Sequence, residues 1–217
     1  MSPRRVAALS ALGIAAAAAF VATTGADLPG LRLLAKPIPV LVLAALVLGH
    51  DPDRYSRWIA LGLVLGALGD ALLELGPATF LAGLVAFLAA HLAYVAAFLR
   101  RRPSPLPLRA IPFALFGGAI FSALRPGLGA MELPVAAYTA TICLMGWRAL
   151  AVLGRGGGRD PWFGLVGALA FIASDTLLAF NRFDAPVPGA AYLVIGLYWL
   201  GQLGIAASAW DHTRARH

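Results

Sequence analysis

Apolar residues occur along the chain in long runs, separated by short links rich in Arg, Asp, Gly and Pro. A membrane-spanning helix needs ~20 predominantly apolar residues, with a usable range of ~17–25. The pattern therefore predicts eight spanning helices, and the links between them contain the expected helix breakers. The predicted helices cover Val6–Thr24, Leu33–Leu48, Trp58–Leu75, Thr79–Leu99, Leu106–Leu124, Leu133–Leu153, Trp162–Phe180 and Gly189–Trp210.

Several details of the pattern bear on where these helices end. Asp27, Pro29 and Gly30 are expected to end the first helix, and the second is short and carries Pro37 and Pro39. The first run also resembles a secretory signal peptide, since two arginines precede it. Its length and the lack of a clean cleavage pattern favour a retained membrane helix, with cleavage as the alternative. The other predicted links are 50–54, 100–107, 125–127, 155–161 and 181–188.

The composition excludes a soluble protein. Of the 217 residues, 60% are hydrophobic and 12% are charged, and the mean hydropathy is +0.82. A soluble domain has about 25% charged residues, so this chain cannot cover a surface that faces water. We therefore expect an all-α integral membrane protein, with residues 1–217 forming a single helical domain. In a bacterial host it would lie in the plasma (inner) membrane.

The distribution of Arg and Lys predicts the orientation of the bundle. With eight helices, both termini lie on one side of the membrane. Twelve basic residues then lie on that side and four on the other, while Arg148 falls within a helix, so the positive-inside rule places both termini in the cytoplasm. The four on the far side are Arg32, Lys36, Arg125 and Arg182; the twelve are Arg4, Arg5, Arg54, Arg57, Arg100, Arg101, Arg102, Arg109, Arg155, Arg159, Arg214 and Arg216.

The net charge of +7 does not indicate a nucleic-acid partner. The arginines lie in short links between apolar runs, where they set topology and contact anionic lipids. Cys143 is the single cysteine and lies in an apolar run, so no disulfide can form within the chain and a buried, inert thiol is expected. No cofactor motif is present in a usable context. The sequence does not indicate an oligomeric state.

Three ionisable residues lie in one predicted helical hairpin, Gly66–Tyr94. Asp70, Glu74 and His91 are surrounded by residues that should face hydrocarbon. A charge at the middle of a membrane helix costs ~2.5–3.5 kcal/mol on insertion scales, and such residues usually face the interior of a bundle and act there. A divalent metal is an alternative for this group, but HExxH and clustered histidines are absent, and His50, His212 and His217 fall in links or the tail. No metal site is predicted.

A second carboxylate lies in a similar setting later in the chain. The segments LGALGDALLEL (65–75) and LAFIASDTLLAF (169–180) both place an Asp between small residues, followed by two leucines. Asp70 and Asp175 are therefore candidates for equivalent positions in two parallel four-helix repeats, about 1–102 and 103–217, related by a pseudo-two-fold axis along the membrane normal. Such aspartates would face each other, and two carboxylates in a medium of low dielectric constant do not both ionise easily.

Helical spacing places further polar residues on shared faces. Asp70 and Glu74 are four residues apart, as are Tyr198 and Gln202, while His91 and Tyr94 are three apart. A structural role remains open for each of them. The aspartates could lock helix packing, His91 could be a satisfied core histidine, the tyrosines could be packing residues, Gln202 could join helices, and Glu74 could simply reach water.

Five segments together resemble one protein family, the YhhN family of lysoplasmalogenase-like membrane proteins. They are LAKP (34–37), GALGDALLEL (66–75), FLAGLVAFLAAHLAYVAAF (80–98), FIASDTLLAFNRF (171–183) and YWLGQLGIA (198–206). The resemblance implies an eight-helix hydrolase that cleaves the vinyl-ether bond of lysoplasmalogens, releasing a fatty aldehyde and a glycerophospho-choline or -ethanolamine. The polar positions that match are Lys36, Asp70, Glu74, His91, Tyr94, Asp175, Asn181, Tyr198 and Gln202.

Vinyl-ether hydrolysis suits a buried pair of carboxylic groups. One must deliver a proton to carbon, and the other must stabilise the resulting cation and activate water. Asp70 and Asp175 are assigned to these roles in either order, with His91 assisting proton transfer. Tyr198 and Gln202 are expected to hold water or glycerol oxygens, while Lys36 or Arg182 meets the lipid phosphate.

Two other classes of function fit the same sequence. A proton-coupled small-molecule or lipid transporter, or a lipid-binding membrane protein, would also combine parallel repeats with intramembrane carboxylates and a histidine. A non-catalytic scaffold would use the aspartates for stability alone. Within the hydrolase class, a related lysolipid or another ether lipid is an alternative substrate.

Overall fold

The chain forms a bundle of helices. The computed structural model describes residues 1–26, 28–49, 52–154 and 158–214, with side chains described up to 210. Strands are absent from these described ranges, where short 3-10 turns at Pro77–Thr79, Pro107–Ala110 and Gly129–Met131 join some of the helices. The helices are α1 Pro3–Ala22, α2 Pro29–Ala35, α3 Ile38–Leu48, α4 Arg54–Glu74, α5 Phe80–Arg101, α6 Ile111–Leu128, α7 Glu132–Val152, α8 Asp160–Phe183 and α9 Ala190–Arg214.

Seven apolar helical stretches of the described chain are long enough to cross a membrane. One of them, Pro107–Val152, is 46 residues long and contains both α6 and α7. Large apolar side chains are exposed on several of these helices, including Ile14 at 71%, Leu115 at 70% and Leu133 at 79%. A protein in water rarely exposes so much apolar surface, whereas a surface that faces lipid is apolar. The expected all-α membrane class is confirmed.

The second predicted helix begins earlier than expected and is broken. Pro29 and Gly30 begin α2 instead of separating two helices, because proline is favoured in the first turn of a helix, where its missing N–H would lack a partner anyway. The break comes at Lys36 and Pro37, between α2 and α3. Pro37 and Pro39 have no N–H to donate to the preceding turn, so the helix cannot continue unchanged through them. This break leaves Lys36 at the end of a short helix.

Two boundaries of the fifth predicted helix are wrong. Leu106 has a positive φ of 46° and precedes a 3-10 turn, so the regular helix α6 begins only at Ile111. The prediction that 125–127 ends this helix is also wrong, since α6 continues through Pro126 to Leu128. A Cβ at Gly127 would overlap the Phe183 carbonyl oxygen, so this glycine permits the close approach of α6 to the end of α8.

Some predictions fall on residues outside the described ranges. These are the link residues Asp27, His50 and Asp51, the glycine-rich part of the link at 155–157, the tail residue His217, and the side chain of His212.

The helices pack in two similar sets around a common core. α4 packs against α5 much as α8 packs against α9, and α1 against α3 as α6 against α7. The core contains aromatic residues from several helices, including Tyr94, Phe98 and Phe171. A smaller apolar cluster of Leu124, Leu128 and Val135 joins α6 to α7 and to the end of α8.

Hydrogen bonds between helix ends indicate which of them lie together at each end of the bundle. The N-terminal ammonium of Met1 donates to the Gly49 carbonyl at 3.2 Å, and Arg109 donates to the Leu153 carbonyl at 3.0 Å. At the other end, the Tyr192 hydroxyl donates to the Thr24 carbonyl at 3.5 Å. The start of α6 therefore adjoins the end of α7, and α6 and α7 form a hairpin.

Candidate active site

A cavity of about 320 Å³ lies within the bundle, near the ends of α4 and α8. Its walls come mainly from apolar side chains of α4 to α9, with α1 and α2 contributing at the mouth. Against this apolar wall stand a few polar and charged groups, the usual makeup of a small-molecule site. They are Thr24, Arg32, Lys36, Asp70, Glu74, Tyr138, Thr139, Cys143, Ser174, Asp175, Thr176, Asn181, Arg182 and Tyr198.

Asp70, from the last two turns of α4, ends a chain of hydrogen bonds that runs through α9 and α5. The Tyr198 hydroxyl donates to Asp70 Oδ2 at 2.6 Å, and Gln202 Nε2 donates to the Tyr198 oxygen at 3.2 Å. The Tyr94 hydroxyl in turn donates to Gln202 Oε1 at 2.6 Å. Asp70, Tyr94 and Gln202 are fully buried or nearly so. Each hydrogen in this chain therefore points along it toward the Asp70 carboxylate.

A glycine makes room for this chain. A Cβ built at Gly66 would lie 2.7 Å from Gln202 Nε2, closer than any side-chain carbon tolerates. Gly66 is one turn before Asp70 on α4, so the backbone of α4 can pass against the Gln202 amide. The helical spacing of Tyr198 and Gln202, four residues apart on α9, places both on the face toward α4.

Asp175, on α8, has a tyrosine partner of its own. The Tyr138 hydroxyl of α7 donates to Asp175 Oδ2. The Tyr138 ring also packs edge-on against the ring of His91, with centroids 5.2 Å apart. His91 itself is fully buried, and neither of its ring nitrogens has a hydrogen-bond partner among the described residues. His91 therefore lies behind Tyr138 and does not line the cavity.

Charged groups surround the mouth of the cavity. Glu74 receives Lys36 Nζ at 2.9 Å and Arg32 Nε at 3.2 Å, so one carboxylate bridges two cations. The exposed fractions of the Arg32, Lys36 and Glu74 side chains are only 21%, 14% and 13%. The Arg32 guanidinium also lies 4.4 Å from the centroid of the Phe20 ring. The formal charge of this group is +1, so an anion is attracted to it.

Two further predicted residues lie at the mouth, on the last turn of α8. Arg182 stacks over the Phe80 ring, 4.7 Å from its centroid. Asn181 Oδ1 accepts a hydrogen bond from the backbone N–H of Val187 at 2.9 Å, which fixes the chain after α8. Arg182 thus adds a second positive charge to the mouth, across from the Lys36 group.

Seven of the ten site residues predicted from sequence line the same cavity, and three do not. His91, Tyr94 and Gln202 lie behind its wall, where they contact residues that do line it. The lining residues are Lys36, Asp70, Glu74, Asp175, Asn181, Arg182 and Tyr198.

Sequence reasoning missed Tyr138 and Arg32. Tyr138 has no ionisable residue three or four positions away, so periodicity does not single it out. The position of Tyr138 along its helix does single it out. Tyr138 is six residues into α7, and Asp175 is eight residues before the end of α8, so both lie near the same end of the bundle. Arg32 was assigned only to topology, although it lies four residues before Lys36 on the same short helical segment.

The described residues do not bring three or more His, Cys, Asp or Glu side chains into one group that could hold a metal ion. The chemistry available at the cavity is that of carboxylic groups, tyrosine hydroxyls and cations. The prediction that no metal or cofactor is required stays a prediction.

The fold and this cavity define a multi-pass membrane protein with a pair of carboxylic groups in an apolar internal site and a cationic mouth. The sequence profile of the YhhN family matches residues 31–209. The chain therefore belongs to the YhhN family, as the sequence motifs indicated.

Curated relatives cover most of the chain. It is 36% identical over 185 residues to human lysoplasmalogenase TMEM86A, which covers 81% of this chain and 77% of that protein. It is 37% identical over 178 residues to human lysoplasmalogenase TMEM86B, with 81% and 74% covered. The bovine lysoplasmalogenase TMEM86A is 35% identical over 186 residues, with 81% and 77% covered. The comparison with solved structures finds no significant match.

Proposed function

We propose that this chain is a membrane lysoplasmalogenase that hydrolyses the vinyl-ether bond of a lysoplasmalogen. The single observation that carries the proposal is that Asp70 and Asp175, each hydrogen-bonded to a tyrosine, line one internal cavity. Relatives named lysoplasmalogenase that match about four-fifths of the chain supply the substrate class. Vinyl-ether hydrolysis needs an acid and a base and no nucleophilic serine, which matches the groups in the cavity.

The reaction closes with two carboxylic groups and one water. The acid adds its proton to the vinyl carbon remote from oxygen, leaving an oxocarbenium ion. Water attacks the carbon bonded to oxygen, and the carboxylate takes a proton from it, giving a hemiacetal. The hemiacetal hydroxyl then returns its proton to the first residue as the C–O bond to glycerol breaks, and the second residue protonates the glycerol oxygen. The products are a fatty aldehyde and a glycerophospho compound, and both residues are restored.

The hydrogen bonds favour Asp70 as the carboxylate and Asp175 as the acid. Asp70 is the acceptor at the end of a chain in which Tyr94, Gln202 and Tyr198 all orient their hydrogens toward it. Successive hydrogen bonds polarise one another and stabilise a negative charge at the end that accepts. Asp175 receives the Tyr138 hydroxyl, and the ring packed behind that tyrosine is His91, which has no hydrogen-bond partner among the described residues. When two carboxylic groups share one apolar cavity, the proton resides on the group whose anion is stabilised less.

The three predicted residues behind the wall act by positioning others. Tyr94 and Gln202 hold Tyr198, and so orient the hydroxyl that faces Asp70. We place His91 as a neutral ring that holds Tyr138 against Asp175 through edge-on ring packing. Direct proton transfer to substrate by His91 would need it to reach the cavity, and Tyr138 and Phe171 lie against its ring.

The mouth suits the phosphate of a lysophospholipid. Three positive charges, on Lys36, Arg32 and Arg182, outnumber the one negative charge on Glu74. Charge-assisted hydrogen bonds to phosphate are among the stronger ones in proteins. The glycerol would then extend from the mouth toward Asp70, which is one turn below Glu74 on α4. The head group itself, choline or ethanolamine, would project toward water.

The contacts between helix ends support eight membrane crossings in two parallel repeats. The ends of α6 and α7 adjoin at Arg109 and Leu153, so the 46-residue stretch that contains them crosses twice. Pairs of neighbouring helices also correspond between the two halves. The α3–α4 pair corresponds to α7–α8, and the α5–α7 pair corresponds to α9–α3. With the positive-inside bias, both termini face the cytoplasm and the mouth opens on the opposite side.

Aldehyde release in detergent tests the reaction class. The purified protein is mixed with a lysoplasmalogen in detergent micelles prepared in D₂O, and the aldehyde is reduced at once to the alcohol. We expect aldehyde with one deuterium on the carbon next to the carbonyl, because the acid delivers a solvent-derived proton there. A transporter would give no product, since micelles hold no gradient, and release of aldehyde without deuterium would contradict proton delivery to carbon.

A cationic analogue tests the assignment of the two aspartates. A lysolipid with a secondary ammonium in place of the vinyl-ether oxygen imitates the charge of the oxocarbenium ion. We expect its affinity to fall at least about tenfold in Asp70→Asn and to change little in Asp175→Asn, since only Asp70 is the resident anion. Binding is measured by titration calorimetry in detergent. The reverse pattern would exchange the two roles.

A further inference from the structure

A groove on the lipid-facing surface runs beside the cavity, between α6 and the far end of α8. It has a volume of about 550 Å³ and is open along its length. Phe116 of α6 forms one side, and the other side is a stripe on α8 that continues into residues 184–188. The α8 stripe consists of Ala173, Thr176, Leu177 and Phe180. The groove is therefore apolar over most of its length and reaches the same end of the bundle as the mouth.

The groove and the cavity share two wall residues. Phe116 and Thr176 line both, so at this point the cavity is separated from the groove by side chains alone. Phe116 is 40% exposed and is not a member of either apolar cluster of the core. Thr176 is the residue directly after Asp175, so the shared wall lies beside the proposed catalytic acid.

Elsewhere the contact between α6 and α8 is closed. Near the mouth, Leu124 and Leu128 pack in a cluster with Phe180 and Phe183, and Gly127 lies against the Phe183 carbonyl. Phe116, about two to three helical turns deeper on α6, is not part of this cluster. At that level the cavity and the groove have Phe116 and Thr176 as common wall residues.

The size of the cavity requires such an opening. About 320 Å³ is at the low end of the ~300–1,000 Å³ of pockets that enclose a drug-sized ligand. With the glycerophosphate at the mouth and the vinyl ether between the aspartates, little room remains for a long aliphatic chain. The chain must continue beyond the cavity, and an apolar exit costs the least free energy.

We propose that the aliphatic chain of the substrate leaves the cavity between Phe116 and Thr176 and lies in the groove along α8, so that the lipid enters sideways from the bilayer. This inference rests on the proposed hydrolase function. The position of the opening beside Asp175 places the first carbons of the chain next to the acid, and the remaining methylenes stay in contact with membrane lipid. The opening thereby selects single-chain amphiphiles of any sufficient length.

Narrowing the opening tests the proposal through chain length. Thr176→Trp is assayed on vinyl-ether lysolipids with a long chain and with a chain of four carbons, which fits inside the cavity. We expect kcat/KM to fall at least about tenfold more for the long chain than for the short chain. Leu115→Trp, at a neighbouring lipid-facing position of α6 that is 70% exposed, is the matched control and should match the wild type on both substrates.

The two substrates separate failure of this inference from failure of the proposed function. Equal losses on both chain lengths, or no loss on either, would overturn the opening while leaving the hydrolase intact. Absence of turnover of both substrates by the wild type would instead remove the proposed function and this inference with it.

Photolabelling gives a readout that does not depend on turnover. The probe is a 1-O-alkyl lysophospholipid with a diazirine at the end of its chain, added to the protein in lipid nanodiscs. We expect labelling of the α8 segment that contains Leu177 and Phe180, reduced by excess unlabelled alkyl lysolipid. Competed labelling confined to the start of α9, whose Ala191 and Val194 line another wall of the cavity, would contradict the proposal.

Discussion

The two aspartates of the cavity occupy similar sequence positions but have different hydrogen-bond partners. Asp70 contacts Tyr198 of α9, and behind that tyrosine lie Gln202 and Tyr94. Asp175 contacts Tyr138 of α7. A strict repeat would have given both the same partners, so the two halves differ at this point. In the proposed mechanism, this difference in partners is what would let two residues of one type act as acid and base.

Removing the Tyr198 hydroxyl tests whether its hydrogen bond to Asp70 contributes to catalysis or only to the stability of the fold. Tyr198→Phe takes the donor from Asp70, and a hydrogen bond to a charged group contributes ~1.5–3 kcal/mol, so we expect kcat/KM to fall ~10–100-fold. Tyr192→Phe is the control, because its exposed hydroxyl makes only a 3.5 Å contact with a backbone carbonyl. Steady-state kinetics and thermal unfolding are measured on both variants. An unchanged rate in Tyr198→Phe would contradict the role given to the chain.

The cations at the mouth should affect binding of the substrate more than its turnover. Lys36→Met removes one charge and leaves Glu74 paired with Arg32 alone, so we expect KM to rise about tenfold with little change in kcat. Arg125→Met removes a cation from an exposed pair with Glu132 and should leave both parameters unchanged. A fall in kcat without a rise in KM for Lys36→Met would contradict phosphate binding at this position.

At this scale the sequence predicted the charged residues better than their partners. A carboxylate in an apolar run is visible without a structure, because its burial must be compensated. Tyr138 was not predicted, because an isolated tyrosine in a membrane helix is most often a packing residue. The direction of the Tyr94–Gln202–Tyr198 chain depends on how α5 and α9 are placed against α4, which sequence spacing does not give.

Individual helices follow from hydropathy, whereas their breaks follow from local chemistry. The expected hairpin Gly66–Tyr94 is present as α4, a 3-10 turn and α5. The break at Lys36 and Pro37 arises from missing N–H donors and places a cation at the mouth. Pro126 does not break α6, although 125–127 contains two helix breakers. A proline close to the end of a helix disturbs few of its hydrogen bonds, and tertiary contact with α8 favours continuing.

The close approach of α6 to α8 predicts opposite effects for two glycines of the same helix. Gly127→Ala adds a Cβ that overlaps the Phe183 carbonyl oxygen, and overpacking typically costs ~1–3 kcal/mol. At Gly118 nothing lies within 4 Å of an added Cβ, so Gly118→Ala should be neutral or stabilise by up to ~1 kcal/mol through helix propensity. Thermal unfolding in detergent measures both. Equal stability of the two variants would contradict the contact between α6 and α8.

Over the whole molecule, the ends of the helices separate into a basic end and an end that carries the mouth. At the basic end Arg148 is buried in α7 and donates to the backbone carbonyls of Ser104 and Pro105, each at 3.1 Å. This anchors the link before α6. The mouth lies at the opposite end, where Lys36, Glu74 and Arg182 gather.

Cysteine labelling should show which ends face which side. In a Cys143→Ser background, Ser104→Cys should react with an impermeant maleimide from the side of the termini only. Ala130→Cys, between α6 and α7, and Asp184→Cys, after α8, should react from the opposite side only. Labelling of positions 104 and 130 from the same side would mean that α6 does not cross, which would contradict eight crossings.

Charge and repetition lead to two predictions about the global arrangement. The positive-inside count predicts that both termini lie on one side of the membrane, and the match around Asp70 and Asp175 predicts paired halves. The packing of α4 on α5 and of α8 on α9 is compatible with such halves, which stay a prediction. The cavity could not be predicted, because its volume depends on side chains from most of the helices. The proposed opening at Phe116 and Thr176 has no signature in the sequence, since neither residue is unusual in a membrane helix.

The most direct test of the central claim is aldehyde release from lysoplasmalogen by purified wild-type protein and by Asp70→Asn and Asp175→Asn. We expect each substitution to lower kcat by at least ~10²-fold, because each removes an acid or a base from the reaction. Glu132→Gln, a neutralised carboxylate of an exposed ion pair that does not line the cavity, should keep the wild-type rate. Wild-type turnover in both asparagine variants, with correct folding, would contradict the account.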